Sequence, residues 1–238
     1  MPKDRYYTNQ DLKKNSRISV DGSEAVHIRT IMRKNIDDLI EVINGSGNLA
    51  IARITDIKKD AVKASIENVF FEERKKQKIV LIQALLRSQK LELILEKCTE
   101  LGCSEFWFFN SKNSDEINLS QNKLDRMNLI LISAIKQCGS LYLPTIKVFD
   151  SLNEIENTDG IFYYGDVDAN AKRLINQYEK TDKDIFIIIG PEKGFSKEDV
   201  NYIKQNLKAI AVKLNGNILR AETAAIASVN LISNLINS

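Results

Sequence analysis

The stretch IFIIIG, residues 185–190, most constrains what this chain can fold into. Consecutive apolar residues without alternation are typical of a strand buried on both faces, in the middle of a parallel sheet. The chain continues as Pro191-Glu192-Lys193-Gly194, a stiff turn with glycine on either side, and Ser196 is a natural helix N-cap. The sequence therefore predicts a strand, turn and helix whose turn lies where open α/β sheets bind their ligands.

From residue 79 onward, apolar strands alternate with amphipathic helices. The predicted strands are IVLIQALL, EFWFF, GIFYYG, IFIIIG and AIAVKL. The predicted helices are QKLELILEKCTELG, NKLDRMNLILISAIKQCG, NAKRLINQYEK, SKEDVNYIKQN and ETAAIASVNLISNLI. Spacings of three and four predict that these helices bury Leu91, Ile94, Leu95, Cys98, Leu101, Leu124, Met127, Leu131, Ala134, Ile135 and Cys138. This order predicts an α/β domain with a mostly parallel sheet covered on both faces.

The first seventy or so residues follow a different pattern. The short alternating runs RISV, LIEVING, LAIARIT and AVKASIENV are separated by turn residues, which predicts a small antiparallel sheet or barrel. The stretch GSEAVHIRTIMR predicts one short helix, with Val26, Ile28 and Ile31 partly buried. The charge run EERKKQK then breaks the pattern, so we predict a first domain over 1–73 and a second over 74–238.

Composition excludes several classes of protein. His27 is the single histidine, so HExxH zinc chemistry is impossible and any Ser-His-Asp triad would have to use it. The three cysteines contain no CxxC pair, which argues against a disulfide framework and a structural zinc site. We expect no metal. The sequence has no long apolar run and no apolar segment near its start, so we expect no membrane span, no secretory signal and a cytoplasmic location.

Two further loops repeat the arrangement after IFIIIG. YYGDVDAN and LNGNILRAETAAIASV each place a glycine shortly after a predicted strand. Three such loops at one edge of a sheet predict a pocket lined by backbone, suited to a flat heteroaromatic ligand. The P-loop pattern and the dinucleotide pattern GxGxxG are both absent. For any one of these loops, a purely structural tight turn is the alternative.

These stretches resemble a known family. IGPEKGFSKEDV is similar to the IGPEGG(F/L)S..E motif, and LNGNILRAETA to the LG.RILR.ETA motif, of bacterial 16S ribosomal RNA uridine-N3 methyltransferases (RsmE type) in the SPOUT superfamily. KLELILEKCTELGCSEFWFFNS, AIKQCGSLYLPTI and HIRTIMR resemble other blocks of that family, so the resemblance spans nearly the whole chain.

The resemblance implies a fold and an activity. It implies an N-terminal PUA-like β-barrel that helps hold RNA, then a SPOUT domain with a trefoil knot in roughly the last third of the chain (residues 160–238). That domain would bind S-adenosylmethionine and pair two subunits into a homodimer. The implied product is 16S ribosomal RNA of the small subunit, methylated at N3 of a uridine.

The resemblance also implies site residues. Those expected to bind the cofactor are Gly165, Ile189, Gly190, Pro191, Glu192, Gly194, Leu214, Ile218, Leu219, Arg220 and Thr223. Loss of the imide proton at N3 requires a base and a cation that steadies the anion. Arg220 is expected to be the cation, and Glu222 is either the base or a charge partner of a helix N-terminus. The residues expected to contact RNA are His27, Arg29, Arg33 and Lys136.

Several positions depart from the family pattern. Family glycines or charged residues are replaced by Asn113, Lys136, Ser140, Lys193, Asn215 and Asn217. Two or three arginines expected on the RNA side are thus missing, which matters because each cation that contacts a phosphate adds affinity. Lys112, Lys123 and Lys136 are the expected substitutes. Two alternatives therefore stay open: a knotted methyltransferase that acts on another RNA, and an RNA-binding protein that has lost catalysis.

Overall fold

The computed structural model describes residues 5–113, 119–168 and 170–238, and it divides into two compact units. The first unit runs up to Arg74 and includes Ile132–Leu143. The second contains Lys75–Leu131 and Pro144–Ser238. The sequence pattern does not predict that residues so far along the chain belong to the first unit.

The first unit is built on a five-stranded sheet. Its strands are β1 (Arg5–Tyr7), β2 (Arg17–Asp21), β3 (Leu39–Ile43), β4 (Asn48–Ile57) and β5 (Ala61–Phe71), in the order β1-β3-β4-β5-β2. All neighbours pair antiparallel except β1, which runs parallel to β3. Alternate side chains of the long strands are buried in one apolar core, as the alternating sequence predicts.

A short helix follows β2 in the first unit. Helix α1 (Gly22–Val26) continues into a wider π-helical turn, His27–Ile31, closed by a bond from Met32 N to His27 O. Ile28 is buried, but Val26 and Ile31 are 40% and 67% exposed, so the expected burial of these two was wrong. The buried face is formed instead by Ala25 and Ile28, which are three residues apart.

The second unit contains a six-stranded sheet in which every neighbouring pair is parallel. Its strands are β6 (Ile79–Ala84), β7 (Glu105–Phe109), β8 (Thr145–Phe149), β9 (Gly160–Gly165), β10 (Asp184–Ile189) and β11 (Ile210–Val212), in the order β11-β9-β10-β6-β7-β8. Residues Ile185 to Ile189 of β10 are all buried, which confirms the predicted central strand. The edge strand β8 was not predicted, because most of its side chains are exposed or only half-buried.

The other helices are α2 (Ser88–Glu100), α3 (Gln121–Cys138), α4 (Leu174–Gln177), α5 (Lys197–Gln205) and α6 (Ala221–Ile236). Helix α5 begins with the predicted cap: Asp199 N donates to Ser196 Oγ, and Ser196 N to Asp199 Oδ2, both at 3.0 Å. The expected burial of Cys138 was wrong, since this last residue of α3 is exposed.

The helix predicted over NAKRLINQYEK is reduced to the single turn of α4. Its first half has another partner, because Lys213 N donates to Lys172 O and Leu174 N donates to Lys213 O. Those backbone groups pair with the segment after β11 and are unavailable for a helix.

Aromatic packing stiffens the middle of the parallel sheet. The rings of Phe162 and Phe186 stack at 4.2 Å, and Trp107 meets Phe186 edge-on at 5.4 Å. Phe149 packs on the other side of Trp107 at 5.6 Å. Such pairs add stabilisation beyond their buried area. The strands β9 and β10, which carry two of the site loops, are therefore held together by aromatic packing as well as by their backbone hydrogen bonds.

Candidate active site

The loops after β9, β10 and β11 meet at one edge of the parallel sheet. Because β9 lies between β10 and β11, the carboxyl ends of these three strands are adjacent. The loops enclose a cavity of about 930 Å³, lined mainly by residues 164–167, 189–195 and 213–221. This volume is within the range of small-molecule sites.

The turn after β10 is closed by its own backbone. Gly194 N donates to Pro191 O at 2.9 Å, so Glu192 and Lys193 are the central residues of a β-turn. Gly194 has φ of +76°, a conformation that favours glycine. A Cβ atom on Gly190 would lie 3.2 Å from the ring of Phe195, tighter than nearly all such contacts. The two glycines thus keep this turn compact beside the cavity.

Side chains brace the other two loops. Asp168 N donates to Asp166 Oδ1, and Asn217 N donates to Asn215 Oδ1, both at 3.0 Å. Asn215, which replaces a family glycine, therefore has a role in the turn. The Tyr164 hydroxyl lies 3.1 Å from Asp166 Oδ2, and burial together with that carboxylate raises the pKa of Tyr164 to about 12. Tyr164 consequently remains a hydrogen-bond donor at neutral pH.

A charged cluster lies at the cavity edge. The Nζ atom of Lys90, a residue that lines the cavity, lies 2.5 Å from Glu192 Oε1 and 3.4 Å from Glu222 Oε2. The hydrogen bond from Lys90 lowers the pKa of Glu192, and the charges of Arg87 and Arg220 add to the effect. The same bond raises the pKa of Lys90, so both partners are ionised at neutral pH.

Sequence reasoning did not pick out Lys90. The sequence feature that could have indicated it is its position shortly after the buried strand IVLIQALL. The carboxyl end of that strand lies at the same edge of the sheet as the glycine loops.

The structure brings most of the predicted cofactor residues together. Those that line the one cavity are Gly165, Ile189, Gly190, Pro191, Glu192, Gly194, Leu214, Ile218, Leu219 and Arg220. Thr223 lies outside this set, exposed in the first turn of α6. Glu222 is not part of the lining either, but reaches its edge through Lys90. Ile218 is 82% exposed and offers an apolar side chain at the rim.

The residues expected to contact RNA lie in the first unit. Arg29 and Arg33 are exposed, and Arg33 has φ of +51°. The ring of His27 is half-buried, 5.9 Å from that of Tyr6. Lys136 forms an ion pair with Glu24, and both side chains are largely buried. Arg29 and Arg33 are therefore more open to a polyanion than Lys136 is.

The residues that replace family arginines make contacts inside the protein. The Asn113 amide donates to Gly194 O at 3.0 Å, which ties the end of the β7 loop to the turn after β10. The neighbouring Lys112 pairs with Glu198 at 2.8 Å. In the first unit, Ser140 Oγ donates to Tyr142 O at 3.1 Å. The Asn113 contact thus holds backbone beside the cavity, the Lys112 pair joins two exposed side chains, and the Ser140 contact fixes a turn of the first unit.

Within the described ranges, no group of three or more His, Cys, Asp or Glu side chains is arranged to hold a metal ion. Over the same residues, no helix has both the length and the apolar character needed to cross a membrane.

Known proteins are similar to this chain in both sequence and fold. Ribosomal RNA small subunit methyltransferase E of Rickettsia conorii is 26% identical over 240 residues, an alignment covering 96% of this chain and 94% of that protein. A solved structure of the corresponding enzyme of Neisseria gonorrhoeae, bound to S-adenosyl methionine, has a TM-score of 0.87 at 23% identity, covering 99% of this chain and 98% of that one. A putative methyltransferase of Legionella pneumophila, in complex with SAM, has a TM-score of 0.89 at 23% identity, covering 98% and 97%.

Two family models match along the chain. Residues 20–67 match an RNA methyltransferase PUA domain, which confirms the predicted PUA-like domain. Residues 73–233 match an RNA methyltransferase domain, which takes in the three loops and their cavity. Since that second match extends over more than half of the sequence, the chain belongs to the RNA methyltransferase domain family, as the loop motifs indicated.

Proposed function

We propose that this protein transfers the methyl group of S-adenosylmethionine to N3 of a uridine in 16S ribosomal RNA of the small subunit. The observation that carries the proposal is the convergence of the three loops on one cavity, inside the part of the chain that matches the RNA methyltransferase domain. Two likenesses support it: the Rickettsia relative is a ribosomal RNA small subunit methyltransferase E, and the two solved structures of similar fold hold S-adenosylmethionine.

The lining of the cavity, as well as its volume, suits S-adenosylmethionine. Gly165 and Gly190 line the cavity without a side chain, so backbone forms part of its wall, and an added Cβ there would lie 3.3 and 3.2 Å from neighbouring side chains. Exposed backbone donors and acceptors suit an adenine ring. When bound, S-adenosylmethionine supplies an electrophilic methyl group on a sulfonium. The chain has to place that group in line with its acceptor, and positioning of this kind supplies much of the rate in two-substrate reactions.

Two charged residues at the start of α6 are proposed to act on the uridine. Arg220 is the N-cap residue of the helix and lines the cavity, where a cation would steady the anion that forms when N3 loses its proton. Glu222 is the only acidic residue in the first turn of this helix and is proposed as the base. Its competing role, as a partner of the helix dipole, predicts a much smaller effect of Glu222→Gln on methyl transfer.

The first unit is proposed to hold the RNA through His27, Arg29 and Arg33. Lys136 would contact the RNA only if its ion pair with Glu24 were replaced by one with a phosphate. We also propose a homodimer formed through the second unit, as the family resemblance implies; the molar mass from light scattering of the purified protein tests this.

The deciding experiment compares ribosomal RNA from a strain that lacks the gene with RNA from its parent. We expect mass spectrometry of the small-subunit RNA to show the N3-methyluridine signal in the parent, its absence in the deletion strain and its return with the intact gene. A complementing gene that carries Arg220→Ala is the matched control, expected to leave the signal absent. An unchanged signal in the deletion strain would reject the proposal.

A second candidate is the same chemistry on another RNA. It is favoured by Asn113 and Ser140, which bond to the protein's own backbone at positions where the family places arginines for RNA. Labelled S-adenosylmethionine and total RNA from the deletion strain distinguish the two, because label outside the small-subunit RNA supports the second. A non-catalytic RNA-binding protein would instead show no calorimetric binding of S-adenosylmethionine.

A further inference from the structure

One lysine connects two of the loops around the cavity. Lys90 comes from the first turn of α2, whereas its partners come from the turn after β10 (Glu192) and the first turn of α6 (Glu222). These elements are far apart in sequence and share no other ion pair within the described part of the chain. A single ammonium group therefore bridges the second loop and the helix that follows the third.

The two carboxylates depend on this cation to different degrees. The side chain of Glu222 is 12% exposed, and its Oε2 atom is buried without a hydrogen-bond partner among the described residues. The ion pair with Lys90 is thus the contact that offsets the cost of burying this charge. Glu192 is 53% exposed and also has Arg87 and Arg220 nearby. Without Lys90, two carboxylates would face each other at the cavity edge and repel.

We propose that Lys90 is a positioning residue for methyl transfer. By pairing with Glu192 and Glu222 together, it fixes the turn after β10 against the start of α6 and holds the cavity in the shape that binds the cofactor. This inference rests on the proposed function, because it takes S-adenosylmethionine as the ligand of the cavity.

The same helix offers a matched control. Lys97 also pairs with two carboxylates, those of Glu96 at 2.7 Å and Glu100 at 2.9 Å, but it does not line the cavity. Lys97→Met therefore removes the same charge and the same number of ion pairs from α2. A difference between Lys90→Met and Lys97→Met therefore reports what Lys90 contacts at the cavity edge, not the loss of a charge from α2.

The experiment measures binding of S-adenosylmethionine to the full-length protein by calorimetry, together with the unfolding temperature. We expect Lys90→Met to weaken binding about tenfold, a loss in keeping with a partly exposed charge pair, and Lys97→Met to change it less than about twofold. Lys90→Arg should retain most of the affinity, since a guanidinium can still reach both carboxylates. Adding Glu192→Gln to Lys90→Met should restore part of the affinity, because the double change removes the repulsion between the carboxylates of Glu192 and Glu222.

The outcomes separate this inference from the proposed function. Equal binding by the unsubstituted protein and Lys90→Met overturns the role of Lys90 and leaves the cofactor proposal intact. Failure of the unsubstituted protein to bind overturns both. Equal weakening by Lys90→Met and Lys97→Met, with equal loss of unfolding temperature, shows a general structural effect and also overturns the inference. If Lys90→Met does not fold, Lys90→Gln carries the test against Lys97→Gln, with weaker binding expected for the first and equal binding by the two contradicting it.

Discussion

The two ends of the parallel sheet carry charged clusters of opposite composition. At the amino ends of the strands, one carboxylate, Glu105, contacts Lys78 at 2.9 Å and Lys147 at 3.4 Å. At the carboxyl ends, one ammonium, Lys90, contacts Glu192 and Glu222. The most buried side chain of each cluster has nearly the same exposure, 11% for Glu105 and 12% for Glu222. Burial therefore does not distinguish a structural cluster from a functional one.

The distinction lies in what each cluster joins. Glu105 begins β7, its partners lie just before β6 and in β8, and Trp107 donates a further bond to it at 3.0 Å. That cluster fastens neighbouring strands across the sheet. The Lys90 cluster joins elements around a cavity, and there Glu222 Oε2 is buried without a hydrogen-bond partner among the described residues. Strands are already held by their backbone ladder, whereas loops depend on such side-chain contacts for their shape.

The largest effect is expected from Arg220→Ala at the carboxyl end. Loss of a cation that acts on the transition state should lower methyl transfer by about a hundredfold or more with little change in unfolding temperature. Arg126→Ala is the matched control, because it removes an arginine that lies outside the cavity, where it pairs with Glu92 at 3.0 Å. Steady-state kinetics with labelled cofactor measure both. Equal losses of methyl transfer in Arg220→Ala and Arg126→Ala would contradict a special role for the charged residues at the cavity.

Glu105→Gln should instead affect stability, lowering the free energy of unfolding by about 2 kcal/mol at pH 7 and leaving cofactor binding unchanged. Burial raises the pKa of Glu105, but the bonds from Lys78 and Trp107 and the charges of Lys78 and Lys147 outweigh it and hold the pKa below its usual value. Because the folded pKa is depressed, this stabilisation is complete above the unfolded pKa of about 4.3 and is lost as the pH falls through the folded pKa. Urea unfolding from pH 7 to pH 3 checks this, and a difference that stays constant over that range would contradict it.

A methyl group placed at the cavity wall should have a smaller effect. In Gly190→Ala the new Cβ would press on the ring of Phe195, so we expect about tenfold weaker binding of S-adenosylmethionine. Gly216, on the third loop, also lines the cavity, but an added Cβ there meets no atom within 4 Å, so Gly216→Ala adds the same methyl group without crowding a neighbour. Calorimetry measures the affinity of the two variants for S-adenosylmethionine and so tests whether the ligand lies against the turn after β10. Unchanged binding by Gly190→Ala would show that the ligand does not depend on the turn after β10.

The smallest effect is expected from Lys193, the exposed residue in the middle of that turn. If it contacts an RNA phosphate, Lys193→Gln should reduce the slope of log affinity against log salt concentration by about 1. Lys204→Gln, near the end of α5, should leave the slope unchanged. Filter binding of small-subunit RNA over a range of salt concentrations gives the slopes, and equal slopes for all three proteins would exclude the contact.

Most of the second unit could be predicted from the sequence, because its strands are long apolar runs closed by glycine turns. β10 and the Ser196 cap were confirmed for that reason. The strands that the sequence did not predict are short or lie at a sheet edge. β1 has only three residues, and β8 exposes much of its surface. Helix α4 was overestimated because its first residues pair with Lys213, a partner that local sequence does not reveal. The trefoil knot and the homodimer stay predictions.

The candidate site was predictable in part for the same reason. Its three loops follow strands that are consecutive in sequence and also adjacent in the sheet. Lys90 was missed because it follows β6, which is distant in sequence from β10 but lies next to it in the sheet. Only the strand order shows that the two loops share an edge.

The most direct test of the central claim is a crystal structure of the protein with S-adenosylmethionine. We expect the adenosine at the carboxyl ends of the strands, within contact distance of about 4 Å from Gly165, Gly190 and Leu219 together. A smaller cavity of about 510 Å³ lies at the amino ends of β9 and β10, beside Gly160 and Lys183. Cofactor bound there, or at any place that one of the three loops does not reach, would contradict the account.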